Sequence, residues 1–240
     1  MHIVNDSLSS RLRIVVVGAG GNGSMLLPHL ARIATSLRSL GRRSEIEVSV
    51  YDPDTVSEAN LGRQAFSPSD LGLNKAVALV NRINLFFGLD WSAHPTAFNA
   101  IHYWPGVVIT CVDRLAVRKE FARQSWGTRY WLDLGNGSNF GQVVLGGWGL
   151  PTIFDINPSL MDAEDDPDEP SCSVAESLAR QDLFINSALA NYAGQLVWTM
   201  LRTGQLEHHG FYINLRTGRT APIPVPTHAA TKPTQKRARK

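Results

Sequence analysis

At 240 residues, with 43% hydrophobic and 18% charged residues, the chain can bury a proper core and has the composition of an ordinary globular protein. A formal net charge of +2 is too small to argue for nucleic acid, and part of it sits in the terminal run KPTQKRARK, so the body is near neutral. Two cysteines, Cys111 and Cys172, exclude a disulfide framework and a four-thiolate zinc site, and neither an apolar run of about 18 residues nor a signal-peptide core is present, which points to a reducing, cytoplasmic setting without membrane contact.

Arg13–Val17 is a short β-branched run, suited to a strand buried on both faces of a parallel sheet. The loop Gly18-Ala19-Gly20-Gly21-Asn22-Gly23 follows at once, and then SMLLPHLARIATSL, which has helical spacing and carries Pro28 as a candidate kink. Strand, glycine loop and helix in that order predict a nucleotide-binding turn, with backbone N–H groups brought to phosphate at a helix N-terminus. Ile46–Tyr51 reads as the second strand, and Asp52 falls at its carboxyl end, where dinucleotide folds keep an acid for the ribose. The spacing from the glycines is lengthened by the polar segment SLRSLGRRSE.

The stretch Tyr51–Lys75 gathers Asp52, Asp54, Asn60, Arg63, Gln64 and Lys75, more long polar side chains than a connecting loop needs. A nucleoside triphosphate is the simplest chemistry for them: the acid for ribose hydroxyls, Arg63 as a planar fork and Lys75 as a point charge for phosphate oxygens. Leu71–Phe87 has helical spacing and puts Lys75 in the first turn, where a cation conflicts with the helix dipole unless an anion is bound.

Asp90–Pro95 predicts a short third strand, Val107–Val112 a fourth ending at Asp113, and Leu115–Trp126 a helix carrying Arg118. Arg129–Leu134 and Asn139–Gly147 predict two more strands. Asp52 and Asp113 thus share the carboxyl edge of one sheet, where open α/β sheets bind ligands. Beside a triphosphate Asp113 suits Mg²⁺, and it also fits a helix N-cap. Beyond Pro151 the acidic, Pro-bounded run Asp162–Pro170 reads as a mobile loop. Cys172 precedes one long helical pattern, VAESLARQDLFINSALANYAGQLVWTML, and a helix N-terminus lowers a thiol pKa while the neighbouring acids raise it. Cys111, on a buried strand, is expected to be inert. Gly210–Leu215 and Thr220–Val225 predict a terminal hairpin, His208 and His209 a turn without a role, and 227–240 a disordered basic tail.

Together, GAGGNG (Gly18–Gly23), Asp52-Pro53-Asp54-Thr55-Val56, Asn60-Leu61-Gly62-Arg63-Gln64, Gly72-Leu73-Asn74-Lys75-Ala76 and Asp113 through Arg118 resemble the ThiF/MoeB/HesA family, bacterial relatives of ubiquitin-activating enzymes. The size and PSCSVAESLARQDLFIN resemble, more narrowly, the ThiF-type proteins of PRTRC systems. The resemblance covers roughly residues 11–205. It implies a Rossmann-like, doubly wound, mostly parallel α/β sheet with C-terminal antiparallel strands, as one adenylation domain over 1–226 with a crossover loop at 151–171. It also implies binding of ATP and Mg²⁺, adenylation of the C-terminal carboxylate of a small ubiquitin-like (β-grasp) protein, release of pyrophosphate, and a homodimer. Carried over by motif, Gly18, Gly20, Gly21 and Gly23 form the phosphate loop, and Asp52 holds ribose. Asn60, Arg63 and Lys75 hold phosphates, Asp113 holds magnesium, and Cys172 is a candidate acyl acceptor. The chain departs from the pattern at Arg114, where relatives usually have Asn, and in lacking paired C-x-x-C zinc motifs and an N-terminal helix bearing a trans arginine, although Arg11 and Arg13 are near. Two other functions stay open at this point: a non-catalytic scaffold for a ubiquitin-like partner, and an NAD-dependent Rossmann oxidoreductase, which would leave Asn60, Arg63, Lys75 and Asp113 without work.

Overall fold

The computed structural model describes residues 1–4, 11–41, 45–99, 106–124, 129–165 and 174–226. After a short strand β1 (His2–Ile3), the chain runs β2 (Arg11–Val17), α1 (Gly21–Ser39), β3 (Glu45–Tyr51), α2 (Lys75–Phe87), β4 (Ser92–His94), β5 (Val107–Thr110) and α3 (Leu115–Ala122). It continues through β6 (Tyr130–Asn136), β7 (Phe140–Gly147), α4 (Ile153–Ile156), α5 (Val174–Arg180), α6 (Ile185–Thr203), β8 (Gln205–Leu206), β9 (His208–Asn214) and β10 (Arg219–Pro224).

Eight strands form one sheet in the order β10-β9-β7-β6-β5-β2-β3-β4. The pairs from β6 to β4 are parallel, and those from β6 through β7 and β9 to β10 are antiparallel. This is the doubly wound sheet with antiparallel C-terminal strands expected from the sequence. The period-2 alternation of β2 explains its central place: Ile14 and Val16 join the core on the α1–α6 side, while Val15 and Val17 join the opposite core. That second core is built on aromatic stacking, with Phe98, Phe121, Trp131 and Phe154 in a row at centroid spacings of 5.8, 6.0 and 6.0 Å.

Several element boundaries differ from the sequence pattern, each for a local reason. The pattern beginning at Val174 is two helices rather than one. Asp182 Oδ1 accepts from Phe184 N at 2.9 Å, and Asp182 N donates to Ser138 O at 2.7 Å, so these backbone donors are spent outside a helical ladder. Helix α2 starts at Lys75 rather than Leu71 because Asn74 caps it, its Oδ1 accepting from Val77 N at 3.1 Å. Pro28 lies inside α1, which runs unbroken to Ser39. Of the crossover segment from Pro151, the described part holds α4 and a 3₁₀ turn at Pro158–Met161. His208 and His209 open β9 instead of forming a turn. His209 is buried, its Nδ1 lies 2.7 Å from Leu145 O, and desolvation lowers its pKa. The expected acyl acceptor Cys172 and the tail 227–240 lie outside the described residues.

Candidate nucleotide site

The turn after β2 is shaped by steric necessity. Gly18 has φ +94°, and a Cβ on it would stand 3.0 Å from the Cys111 carbonyl. A Cβ on Gly23 would stand 2.0 Å from Gly18 O, so only hydrogen lets α1 close on the loop. Gly20 is different: a Cβ there would meet nothing nearer than Gln64 at 3.9 Å, because it borders a cavity of about 430 Å³. Gly21, on the same cavity, is pressed against Asn186, whose side chain lies 2.7–2.8 Å from the position of a Cβ.

Asp52 is 5% exposed at the end of β3. Its Oδ2 accepts from Ala19 N at 2.6 Å and its Oδ1 from Asp54 N at 2.8 Å, so the acid ties the glycine loop to its own turn. Burial pushes its pKa above the usual carboxylate value, against the opposing pull of those two N–H groups and of Lys75. Lys75, also buried, donates from Nζ to Asp54 Oδ2 at 3.0 Å. The cation that the helix dipole disfavours therefore has a protein counter-charge in Asp54, and both line the cavity. Asn74 locks this turn to α2, donating from Nδ2 to Asp52 O at 2.8 Å and to Asp54 O at 2.9 Å.

Arg63 and Asp113 line the same cavity. Burial lowers the Arg63 pKa, and the Asp113 charge pulls it back up. Arg63 Nη1 donates to Gln181 Oε1, which also accepts from Asn186 Nδ2 at 3.0 Å. Gln64 is 6% exposed, and its buried Oε1 has no hydrogen-bond partner among the described residues. Asn60 sits apart from the cavity lining: its Oδ1 accepts from Ser57 N at 2.9 Å and Ser57 Oγ at 3.2 Å, closing the 3₁₀ turn Glu58–Asn60. Asp113 is not the N-cap of α3. Arg114 holds that position, and the first free donors, Leu115 N and Ala116 N (2.9 Å), are met by the Asp165 carboxylate from the crossover segment.

The far wall is apolar, with Tyr51, Phe98, Val112 and Val117. Tyr51 stacks on His94 at 4.2 Å and meets Phe98 edge-on at 4.9 Å. Cys111 lies on the cavity, but desolvation first, and the nearby Asp133 charge second, raise its pKa so that it stays a thiol.

Sequence reasoning left Arg118 without a partner, and the structure supplies one. Arg118 donates from Nε to Asp133 Oδ1 at 3.0 Å and from Nη2 to Oδ2 at 2.5 Å, with both side chains buried. Thr110 Oγ1 donates to Asp133 Oδ1 at 2.7 Å and accepts from Trp131 Nε1 at 2.8 Å. With its amide turned to satisfy both neighbours, Gln142 accepts from Arg118 Nη2 and donates to Gly135 O, each at 3.1 Å. Asn22, Asn136, Gln181 and Asn186 also line the cavity without having been singled out, since lone amides on helices and strands carry no sequence signal. Among the described residues no three His, Cys, Asp or Glu side chains converge as a metal cage, and no helix is long and apolar enough to cross a membrane.

A family model described as the ThiF family matches residues 6–205. The ATP-dependent ubiquitin transferase-like protein Cap2 of Enterobacter hormaechei subsp. hoffmannii (strain UCI 50) is 29% identical over 132 residues, 51% of this chain and 20% of the relative. Among solved structures, E. coli MccB aligns with TM-score 0.63 and 15% identity over 91% of this chain and 63% of its own. MccB solved with ATP aligns with TM-score 0.59 and 15% identity (91% and 65%), and PaaA with 0.58 and 14% (89% and 64%). The chain thus spans a fifth of the curated relative and just under two thirds of these structures.

Proposed function

The chain belongs to the ThiF family, and from that premise we propose that it binds ATP with Mg²⁺ and adenylates the C-terminal carboxylate of a small ubiquitin-like protein, releasing pyrophosphate. One observation carries the reading. Arg63, Lys75 and Asp113 line the same cavity as the glycine loop and Asp52, so cations, a metal-binding acid and a ribose acid converge where a helix N-terminus attracts phosphate. Support also comes from MccB, a fold relative solved with ATP and with N-formylated MccA, and from Cap2, a relative named as ubiquitin transferase-like.

In the reaction a carboxylate oxygen attacks the α-phosphorus of ATP. The bond from that phosphorus to the oxygen bridging to the β-phosphate breaks, and its electron pair leaves with pyrophosphate. The product is a mixed acyl-phosphate anhydride, and no proton has to move. The chain's task is therefore positioning and charge stabilisation. Asp52 holds the ribose hydroxyls as acceptor, and the Tyr51–Phe98 wall takes the base. Gly20, with open space above its Cα, lets the phosphates approach the backbone. Arg63 and Lys75 face the charge that grows on the phosphoryl oxygens, fixed in advance by Gln181 and Asp54. A bound Mg²⁺, held through Asp113, would neutralise phosphate charge and orient the leaving pyrophosphate. Asn60, closing a turn apart from the lining, contributes by shaping the loop that carries Arg63.

The test is ligand choice. ATP with Mg²⁺ at about one hundred times its Kd stabilises the fold by about 2.7 kcal/mol, a Tm rise of roughly 5–11 °C for a chain of this size. NAD leaves Tm unchanged. Stabilisation by NAD and not by ATP sinks the adenylation reading. Onward transfer is separable: Cys172→Ala keeps ATP–pyrophosphate exchange but loses any DTT-sensitive conjugate on a non-reducing gel with the partner, and a conjugate that persists in the mutant removes Cys172 as acceptor.

A further inference from the structure

Among the described residues four carboxylates line the cavity (Asp52, Asp54, Asp113 and Glu120) against three cations, Arg63, Lys75 and Arg114. With all of them ionised the acids outnumber the cations by one, and a nucleoside triphosphate brings further negative charge into the same space. Two of the cations are already engaged: Lys75 with Asp54 Oδ2 at 3.0 Å, and Arg63 with Gln181 Oε1. Arg114 is not. Its guanidinium has no hydrogen-bond or ion-pair partner among the described residues, although Asp113 precedes it and Glu120 lines the same cavity. The residue is exposed, so a ligand in the cavity can reach it.

Helix α3 cannot take the place of that cation. A helix N-terminus ordinarily offers phosphate its first N–H groups. Here Leu115 N and Ala116 N donate to the Asp165 carboxylate, whose charge also answers the positive end of the helix dipole. Positive charge at this corner of the cavity is left to Arg114. The sheet tells which part of the nucleotide lies there. Strand β3 ends at the ribose acid Asp52, its neighbour β2 ends at the glycine loop, and β5, on the far side of β2, leads to Asp113 and Arg114. Two inter-strand steps of about 4.8 Å carry the ligand roughly 10 Å from ribose, past the loop, to Arg114. The phosphates furthest from the ribose are therefore the ones it meets, beside the acid proposed for Mg²⁺.

We propose that Arg114 is a catalytic residue that holds the leaving group: its guanidinium takes oxygens of the β- and γ-phosphates as a planar fork. When the bond from the α-phosphorus to the bridging oxygen breaks, the electron pair stays on the pyrophosphate, and Arg114 stabilises the charge that gathers there. This rests on the adenylation reading of the same cavity.

The experiment compares ATP with AMP on the full chain, by calorimetry at one fixed Mg²⁺ concentration and without acyl substrate. AMP keeps the base, the ribose and the α-phosphate and lacks only the pyrophosphate half. Arg114→Gln should weaken ATP about tenfold or more, the scale of one charge-assisted contact, and leave AMP within about twofold of wild type. Arg114→Lys should recover part of the ATP affinity, since it restores the charge without the fork. The Tm of unliganded Arg114→Gln should match wild type, because no protein group loses a partner. A smaller loss for ATP, or an equal loss for ATP and AMP, overturns the inference and leaves the adenylation reading standing. A clear fall in Tm overturns it too, by giving Arg114 a partner within the fold. If ATP fails to bind the wild-type protein, the adenylation reading fails and the inference falls with it.

Discussion

The two ends of the cavity are built in opposite ways. The ribose–phosphate end comes almost whole from one stretch, Tyr51–Lys75, and is charged: Asp52, Asp54, Arg63 and Lys75. The end beside β6 and α6 comes from distant segments and is made of neutral amides: Asn22, Asn136, Gln181 and Asn186. Charge suits a ligand part that is itself charged and the same in every turnover. Amides, which both give and accept, suit a peptide backbone. The charged end is locked by short-range bonds such as Asn74 to Asp52 O and Asp54 O, whereas the amide end depends on the sheet beneath it to bring its parts together.

That dependence gives the largest expected effect. Asp133 lies on β6 three residues before Asn136, and its partner Arg118 is buried with it. Asp133→Ala would strand a buried guanidinium, at a cost of about 3–5 kcal/mol. The Tm should fall by roughly 6–20 °C. Replacing both partners, as Asp133→Leu with Arg118→Met, should recover much of the loss, since a buried ion pair is often no more stable than apolar groups of its size. A single mutant with unchanged Tm would mean the amide end does not lean on this network.

Next come Lys75→Ala, which strikes the charged end alone, and Arg63→Ala, which also removes a donor from Gln181 at the amide end. Each should cut ATP–pyrophosphate exchange by roughly 10²–10³, or about 2.7–4 kcal/mol, the usual cost of one preorganised donor. Stability should move little in Lys75→Ala, because the Asp54 left behind is 64% exposed and keeps its water. Exchange within a few-fold of wild type would make both residues surface charges.

A smaller change tests how the charged end is locked. Asn74→Ala removes the α2 cap and the two bonds to the Asp52 and Asp54 carbonyls. Loss of a cap costs about 1 kcal/mol, which denaturant titration would read as a shift in midpoint at constant slope. The same variant should weaken ATP binding, and unchanged ATP affinity would mean that this lock does not shape the charged end.

The contrast also explains what was legible in the sequence. Alternating and unbroken apolar runs revealed the sheet, and β2 with its glycine loop revealed the nucleotide turn. The charged end was legible because its residues are near one another in the chain. The amide end was not, because four scattered Asn and Gln side chains become a group only after β6, α1 and α6 pack. Asp133 was hidden for a related reason: within β6 it reads as one polar residue in a strand until Arg118 on α3 is brought against it. The break between α5 and α6 was missed because Asp182 keeps helical spacing while its side chain takes Phe184 N.

The smallest expected effect concerns Asp52 and proton linkage. Burial raises its pKa in the free protein above the value it has when unfolded. The sign follows directly: the stability due to Asp52 is fully present below the unfolded value and is lost as pH rises through the raised folded value. Ribose hydroxyls donate, and the better acceptor is the ionised carboxylate, so bound nucleotide pulls the pKa back down. Below the raised value, ATP binding must therefore release a proton from Asp52. ATP affinity should rise with pH across the window between the ordinary carboxylate value and the raised one, by at most tenfold per pH unit for one proton, and level off above it. Calorimetry in two buffers of different ionisation enthalpy measures the proton directly. Asp52→Asn should bind more weakly and abolish both the slope and the buffer dependence. A pH slope that persists in Asp52→Asn would place the titrating group elsewhere in the cavity.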